Sequence, residues 1–196
     1  MIRVHGDIKI GRRKGMKYKS SYNSFKKELQ EDFNFLCGYC GKSSKCFKED
    51  YQIDHFIPKS LEVSRKGDYY NLVNSCRQCN RNKWNKWPTN NVEICHDGKV
   101  GFVDPVSDEF DSHLKREKMG RIIPLTEVGS YIVKELKLDI RQTDKVWTVM
   151  ELEKSKNELK KIIKESGTND KSKDLLLYFN LTDMLDKYLE YFYSRR

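Results

Sequence analysis

Two cysteine pairs, "CGYC" at residues 37–40 and "CRQC" at residues 76–79, bracket a segment that contains "QIDHFIPKS" and "YYNLVNSC". Within each pair, two intervening residues let both thiolates reach one ion while amides of the turn support the sulfurs. Cys37, Cys40, Cys76 and Cys79 together complete a tetrahedral sulfur-only set, the closed and structural kind, for which zinc is the expected occupant. Between the pairs lie Asp54, His55 and Asn71, and Asn80 follows directly on the last cysteine. A carboxylate and an amide oxygen are hard donors suited to magnesium or manganese, with water and phosphate oxygens filling the remaining positions. A histidine with an ordinary pKa of about 6.5 accepts a proton from water at neutral pH. Adjacent strand residues point to opposite faces. Asp54 and His55 are therefore expected to diverge, one toward a metal and the other toward a water, on opposite sides of one phosphate.

Each of these residues has a plainer reading alone: Asp-His as a hydrogen-bonded surface pair, Asn71 as a turn cap. Their joint placement inside a frame of four cysteines is what points to chemistry. Cys46 and Cys95 have no partner at knuckle spacing and read as small apolar residues or free thiols. His5, His96 and His113 are isolated in the sequence and receive no chemical role. Lys83 and Arg81 read either as phosphate contacts or as general basic surface. Trp84 and Trp87 are expected to cover the zinc module or its junction with the helices, with base stacking as the lesser alternative.

The elements that must position this set are short. A basic, glycine-punctuated arm, "GRRKGMKYKS", precedes Phe25, Leu29, Phe33 and Leu36, whose spacing predicts one face of a helix with Asn23 or Ser24 as its N-cap. From Cys37 to about residue 103 the chain is loop-rich, as expected where metal ligands set the geometry. Helices are then predicted over 126–140, with Val128, Ile132, Leu136 and Ile140 on one side, over 143–165 and over 174–193. "SGTNDKS" at 166–172 reads as a linker or turn. The expected organisation is a basic arm, helix and zinc module over 1–103, with its centre at 35–87, and a helical region over 104–196.

Composition narrows the class. The net charge of +9 lies entirely in the first part: residues 1–103 hold 20 Lys or Arg against 11 Asp or Glu, and residues 104–196 hold 18 of each. A basic module beside a neutral one suggests a polyanionic partner for the first. No window holds the roughly 18–20 apolar residues of a membrane span, and the N-terminus has no apolar core of a secretion signal, so a cytoplasmic location is expected. In a reducing compartment, six cysteines favour metal chemistry over disulfides.

The ordered set "CGYC", "DH", "NL" and "CRQCN" followed by Lys83 resembles the HNH endonucleases with a ββα-metal fold, over about residues 35–87. The resemblance implies an α+β fold in which a small zinc-stapled nuclease module precedes a helical C-terminal half. It implies His55 as general base, Asp54 and Asn80 as ligands of a catalytic magnesium or manganese ion, and Asn71 as a brace for the loop that orients His55. Asn80 stands where many members have histidine, which shifts the expected metal toward oxygen-ligated ions. DNA is the implied substrate, with nothing in the sequence that separates it from RNA. The segment "GFVDPVSDEF…GRIIPLTEVGSYIVKELKLD" resembles stand-alone bacterial or phage HNH proteins, among them anti-phage nuclease subunits that work beside an ATPase. Two alternatives stand next to this one: a non-catalytic zinc-ribbon module that binds nucleic acid, and a nuclease active only with its protein partner.

Overall fold

The computed structural model describes residues 1–165 and 172–194. The predicted linker at 166–172 lies almost wholly outside the described residues. The N-terminal arm leads into a 3-10 turn at Tyr22–Phe25, then α1 (Lys26–Asp32) and α2 (Ser44–Phe47). β1 (Gln52–His55) and β2 (Leu72–Ser75) form an antiparallel hairpin that pairs Asp54 with Val73 and His55 with Leu72. α3 (Arg77–Lys83) follows at once, so strand, strand and helix occur in the order of a ββα unit. Beyond it come α4 (Phe110–His113), a second hairpin of β3 (Leu114–Arg116) and β4 (Ile122–Pro124), and the helices α5 (Glu127–Glu135), α6 (Thr143–Glu165) and α7 (Ser172–Tyr193). None of the described helices is long and apolar enough to cross a membrane.

The first predicted helix is shorter than its apolar spacing suggests. Phe25, Leu29, Phe33 and Leu36 are all buried, but the helix ends at Asp32, and Asn34 and Phe35 take positive φ values of 50° and 61°. That left-handed pair turns the chain into the first cysteine knuckle while keeping Phe33 and Leu36 in the core. Ser24 is not the cap; its hydroxyl donates to the Ser21 carbonyl at 2.7 Å, inside the 3-10 turn that precedes α1.

α5 begins where Thr126 accepts the Gly129 N–H at 3.0 Å, an N-cap bond. It buries Val128, Ile132 and Leu136, whereas Ile140, expected on the same face, is 75 % exposed. The helix stops before Leu136 and Lys137 reverses at φ 55°, which breaks the i, i+4 register. One apolar core runs from Val4 through the hairpin to Leu138 and so joins α5 to the module. α6 and α7 pack on each other through Val149, Leu185 and Phe47, with Phe47 and Phe192 edge to face at 5.3 Å.

The basic arm is tied down. Arg12 donates to Asp104 at 2.7 Å and to the Leu72 carbonyl at 2.9 Å, and Arg13 pairs with Glu31 and Asp32. Part of the positive charge legible in the first 103 residues is therefore matched internally.

Candidate nuclease and zinc sites

The four knuckle cysteines converge. Cys37, Cys40, Cys76 and Cys79 are buried, and their sulfurs lie within 4.8 Å of one another; Cys40 and Cys76 sulfurs are 3.9 Å apart. The Cys79 amide points at the Cys76 sulfur at 3.5 Å. Gly38 lets the first knuckle press on β2: a Cβ there would lie 2.7 Å from a Val73 methyl and 2.8 Å from the Phe33 ring. His5 donates to the Gly38 carbonyl at 2.7 Å from a fully enclosed position, and burial lowers its pKa to about 4, so it is neutral at pH 7.

This cluster fits a structural zinc. Burial pushes the thiols of Cys37 and Cys79 well above the ordinary value, whereas hydrogen bonds from Cys37 hold those of Cys40 and Cys76 below it; all four become thiolates together only beside concentrated positive charge. Some of that charge comes from the helical half. Arg141, between α5 and α6, directs its guanidinium at three of the sulfurs, at 3.1 Å from Cys79 and 3.7 Å from Cys40 and Cys76. Arg141→Gln, which keeps an amide donor and removes the charge, is expected to speed zinc transfer to a chromogenic chelator by about tenfold or more. An unchanged release rate would show that the guanidinium does not compensate the cluster.

The hairpin and α3 enclose a cleft of about 500 Å³ whose walls include Asp54, His55 and Asn80. Three of the four polar residues singled out in the sequence thus meet in one space. Asn71 stands behind it: its Oδ1 accepts the Ile57 N–H at 2.8 Å and its Nδ2 donates to the Ile57 carbonyl at 3.0 Å. It clasps the chain two residues past His55. Asn71→Ala would leave a buried N–H and a buried carbonyl without partners, at a cost of about 1–3 kcal/mol in urea unfolding. A loss below a few tenths of a kcal/mol would mean that water replaces the clasp.

His55 Nε2 lies 2.9 Å from the Lys66 carbonyl. A carbonyl only accepts, so this bond places the proton on Nε2 and the lone pair on Nδ1. Nδ1 has no hydrogen-bond partner among the described residues. The Tyr22 ring meets the imidazole edge-on at 4.8 Å, and burial lowers the pKa of His55, which keeps it neutral and basic near pH 7. Asn80 donates from Nδ2 to Gln52 at 2.7 Å, which leaves its Oδ1 for a cation.

Asp54 is almost wholly buried, and burial raises its carboxyl pKa. Its Oδ2 takes the Tyr39 hydroxyl at 2.5 Å and lies 3.3 Å from the Lys83 ammonium. Its Oδ1 carries no hydrogen bond among the described residues. One open carboxylate oxygen and one open amide oxygen, on two residues that line the cleft, are a donor set that suits a hard divalent ion.

Residues 37–86 match the family model described as HNH endonuclease. This segment is an HNH endonuclease module. Neither the curated proteins nor the solved structures contain a match to the chain. The ββα order, the four-cysteine cluster and the family match agree on the zinc-binding form of the module.

Several residues around the HNH module sit where their local sequence does not place them. Lys83 is neither a phosphate contact nor basic surface; it is completely buried. Tyr39, inside a cysteine pair, carries no sequence signal of its bond to Asp54. Lys59, Arg77 and Arg81 all line the cleft, and none makes an ion pair among the described residues. Trp87 is buried edge-on against Phe56 at 5.3 Å, whereas Trp84 stands 71 % exposed at the cleft.

His96 and His113, isolated in the sequence, share one oxygen of Glu109 at 2.9 and 3.2 Å. The Gly98 N–H faces His96 Nδ1 at 3.3 Å, so His96 donates from Nε2 to the carboxylate. His113 Nδ1 also meets the capping hydroxyl of Thr126 at 2.6 Å, which ties the end of α4 to the start of α5.

Proposed function

We propose that the protein is a metal-dependent endonuclease that hydrolyses DNA phosphodiester bonds at the cleft between the β1–β2 hairpin and α3. The observation that carries this reading is the meeting of the open Nδ1 of His55 with the open oxygens of Asp54 and Asn80 in one cleft of the HNH module. Lys59, Arg77 and Arg81 supply its positive rim.

His55 takes a proton from water at Nδ1, and the Lys66 carbonyl holds the ring through Nε2 and favours the imidazolium that results. The deprotonated water attacks phosphorus while the bond to the 3′ oxygen breaks on the opposite side, and that oxygen takes up a proton from solvent water. Asp54 and Asn80 would hold a magnesium or manganese ion, which supplies Lewis-acid stabilisation of the developing charge. Lys59, Arg77 and Arg81 bind flanking phosphates. Contacts of this kind position the backbone and do not read bases, so sequence preference is weak. The products carry 5′-phosphate and 3′-hydroxyl ends.

The test is incubation of purified protein with supercoiled plasmid in EDTA, magnesium or manganese. Metal-dependent nicking or linearisation is the expected result. Zinc-dependent DNA binding without cleavage would favour the zinc-ribbon reading instead. A second reading keeps the chemistry and adds a protein partner, such as an ATPase subunit in an anti-phage system, on the helical half. The observation in its favour is the exposure of large apolar side chains on α6 and α7, among them Ile162, Leu176 and Phe179. It predicts silence alone and cleavage in the complex.

A further inference from the structure

Asp54 is aimed from two directions. Tyr39 lies inside the first cysteine knuckle, and its hydroxyl donates to Asp54 Oδ2 at 2.5 Å. Lys83 ends α3, three residues after Asn80 and therefore on the same face of the helix. Its ammonium donates to the His55 carbonyl at 2.9 Å and lies 3.3 Å from the same Asp54 oxygen. Both donors are fully buried. A buried ammonium next to one carboxylate oxygen, with a phenol on that same oxygen, fixes the carboxylate plane and leaves only Oδ1 toward the cleft.

We propose that Tyr39 and Lys83 are positioning residues for the catalytic ion, and that through Tyr39 the geometry of the zinc knuckle is passed to the metal ligand Asp54. The inference rests on the nuclease reading and deepens it. Zinc in this arrangement does more than hold the fold. The knuckle that it closes carries the phenol that orients Asp54, while α3, whose first turn is closed by Cys76 and Cys79, carries Asn80 and Lys83. Asp54 and Asn80, the two residues that would hold the ion, are thereby tied to the same four-cysteine cluster. Lys83 also bonds the backbone of His55, so base and ligand keep a fixed separation.

The experiment is titration of the zinc-loaded protein with Mn²⁺, read by electron paramagnetic resonance of the free ion, alongside plasmid nicking at each Mn²⁺ concentration. Wild type is compared with Tyr39→Phe, Lys83→Met and Asp54→Asn. Tyr39→Phe keeps the ring and removes only the hydroxyl. It is expected to raise the half-saturating Mn²⁺ concentration by about 10- to 100-fold, the usual effect of removing a partner of a metal ligand. Nicking by this variant should fall at low Mn²⁺ and recover as Mn²⁺ is raised, with one zinc per chain retained. Lys83→Met should shift in the same direction.

Half-saturation unchanged in Tyr39→Phe, with the site lost in Asp54→Asn, would overturn the positioning role and leave the nuclease reading intact. Equal Mn²⁺ binding by wild type and Asp54→Asn would overturn both. If Lys83→Met fails to fold, Tyr39→Phe decides alone.

Discussion

Replacement of His55 by alanine is expected to lower plasmid cleavage by about 10²- to 10⁴-fold, the usual contribution of a positioned general base. DNA binding and zinc content should stay near those of wild type. The argument is geometric first. The Lys66 carbonyl takes the Nε2 proton, Tyr22 fixes the ring plane, and Nδ1 is left as the acceptor at the cleft. Burial depresses the imidazole pKa, so the ring is in its basic form at pH 7. His55→Gln sharpens the test, because it keeps a side-chain amide able to donate to Lys66 and removes the base. Cleavage near the wild-type rate in either variant would take His55 out of the reaction.

Loss of the zinc site should have the larger structural effect. Cys79→Ser, or exhaustive chelation, is expected to abolish cleavage together with the cooperative thermal transition of the module, while far-ultraviolet helix signal from α6 and α7 persists. Structural zinc in small domains contributes apparent binding energies of about 10–16 kcal/mol, more than the whole stability of most domains. Here a zinc ion would join the knuckle at 37–40 to the start of α3 and so close the loop that carries β1 and β2. Without it, four buried thiols and the close approach of Gly38 to Val73 hold the hairpin by packing alone. Limited proteolysis should then cut within residues 37–86 first. An apo protein with an unchanged melting temperature would show that the cysteines pack as ordinary apolar residues.

The four-cysteine set and the HNH pattern of the module were legible because their signals are local. Cysteines two residues apart and an acid next to a histidine are patterns whose physical meaning survives without a fold. The helices at 143–165 and 172–193 were legible for a related reason, since an apolar stripe at helical spacing needs only itself. Tyr39 and Lys83 were illegible because their meaning depends on Asp54, which lies 15 residues from one and 29 from the other. Nothing in "CGYC" marks its tyrosine as a donor to a distant carboxylate, and a lysine in a basic segment looks like surface. His96 and His113 failed for the same reason: the carboxylate that they share is Glu109, and the pairing exists only after the chain has turned back.

By itself, then, the amino-acid sequence determined the donor set: four soft sulfurs that suit one ion, an acid, an imidazole and an amide of the types that the proposed hydrolysis needs, and apolar stripes for three helices. Donor type follows from covalent chemistry, and periodicity from the backbone repeat, so neither waits on folding. Only the tertiary structure decided which atom of each donor is open. The Lys66 carbonyl leaves Nδ1 of His55 as the lone-pair side, Tyr39 and Lys83 leave Oδ1 of Asp54, and Gln52 turns the Asn80 amide. It also decided that the helical half docks on the module, with Arg141 set against the zinc thiolates. Those outcomes rest on hydrogen bonds and charge pairs between residues far apart in the chain, whose strength depends on burial, and burial is a property of the whole fold.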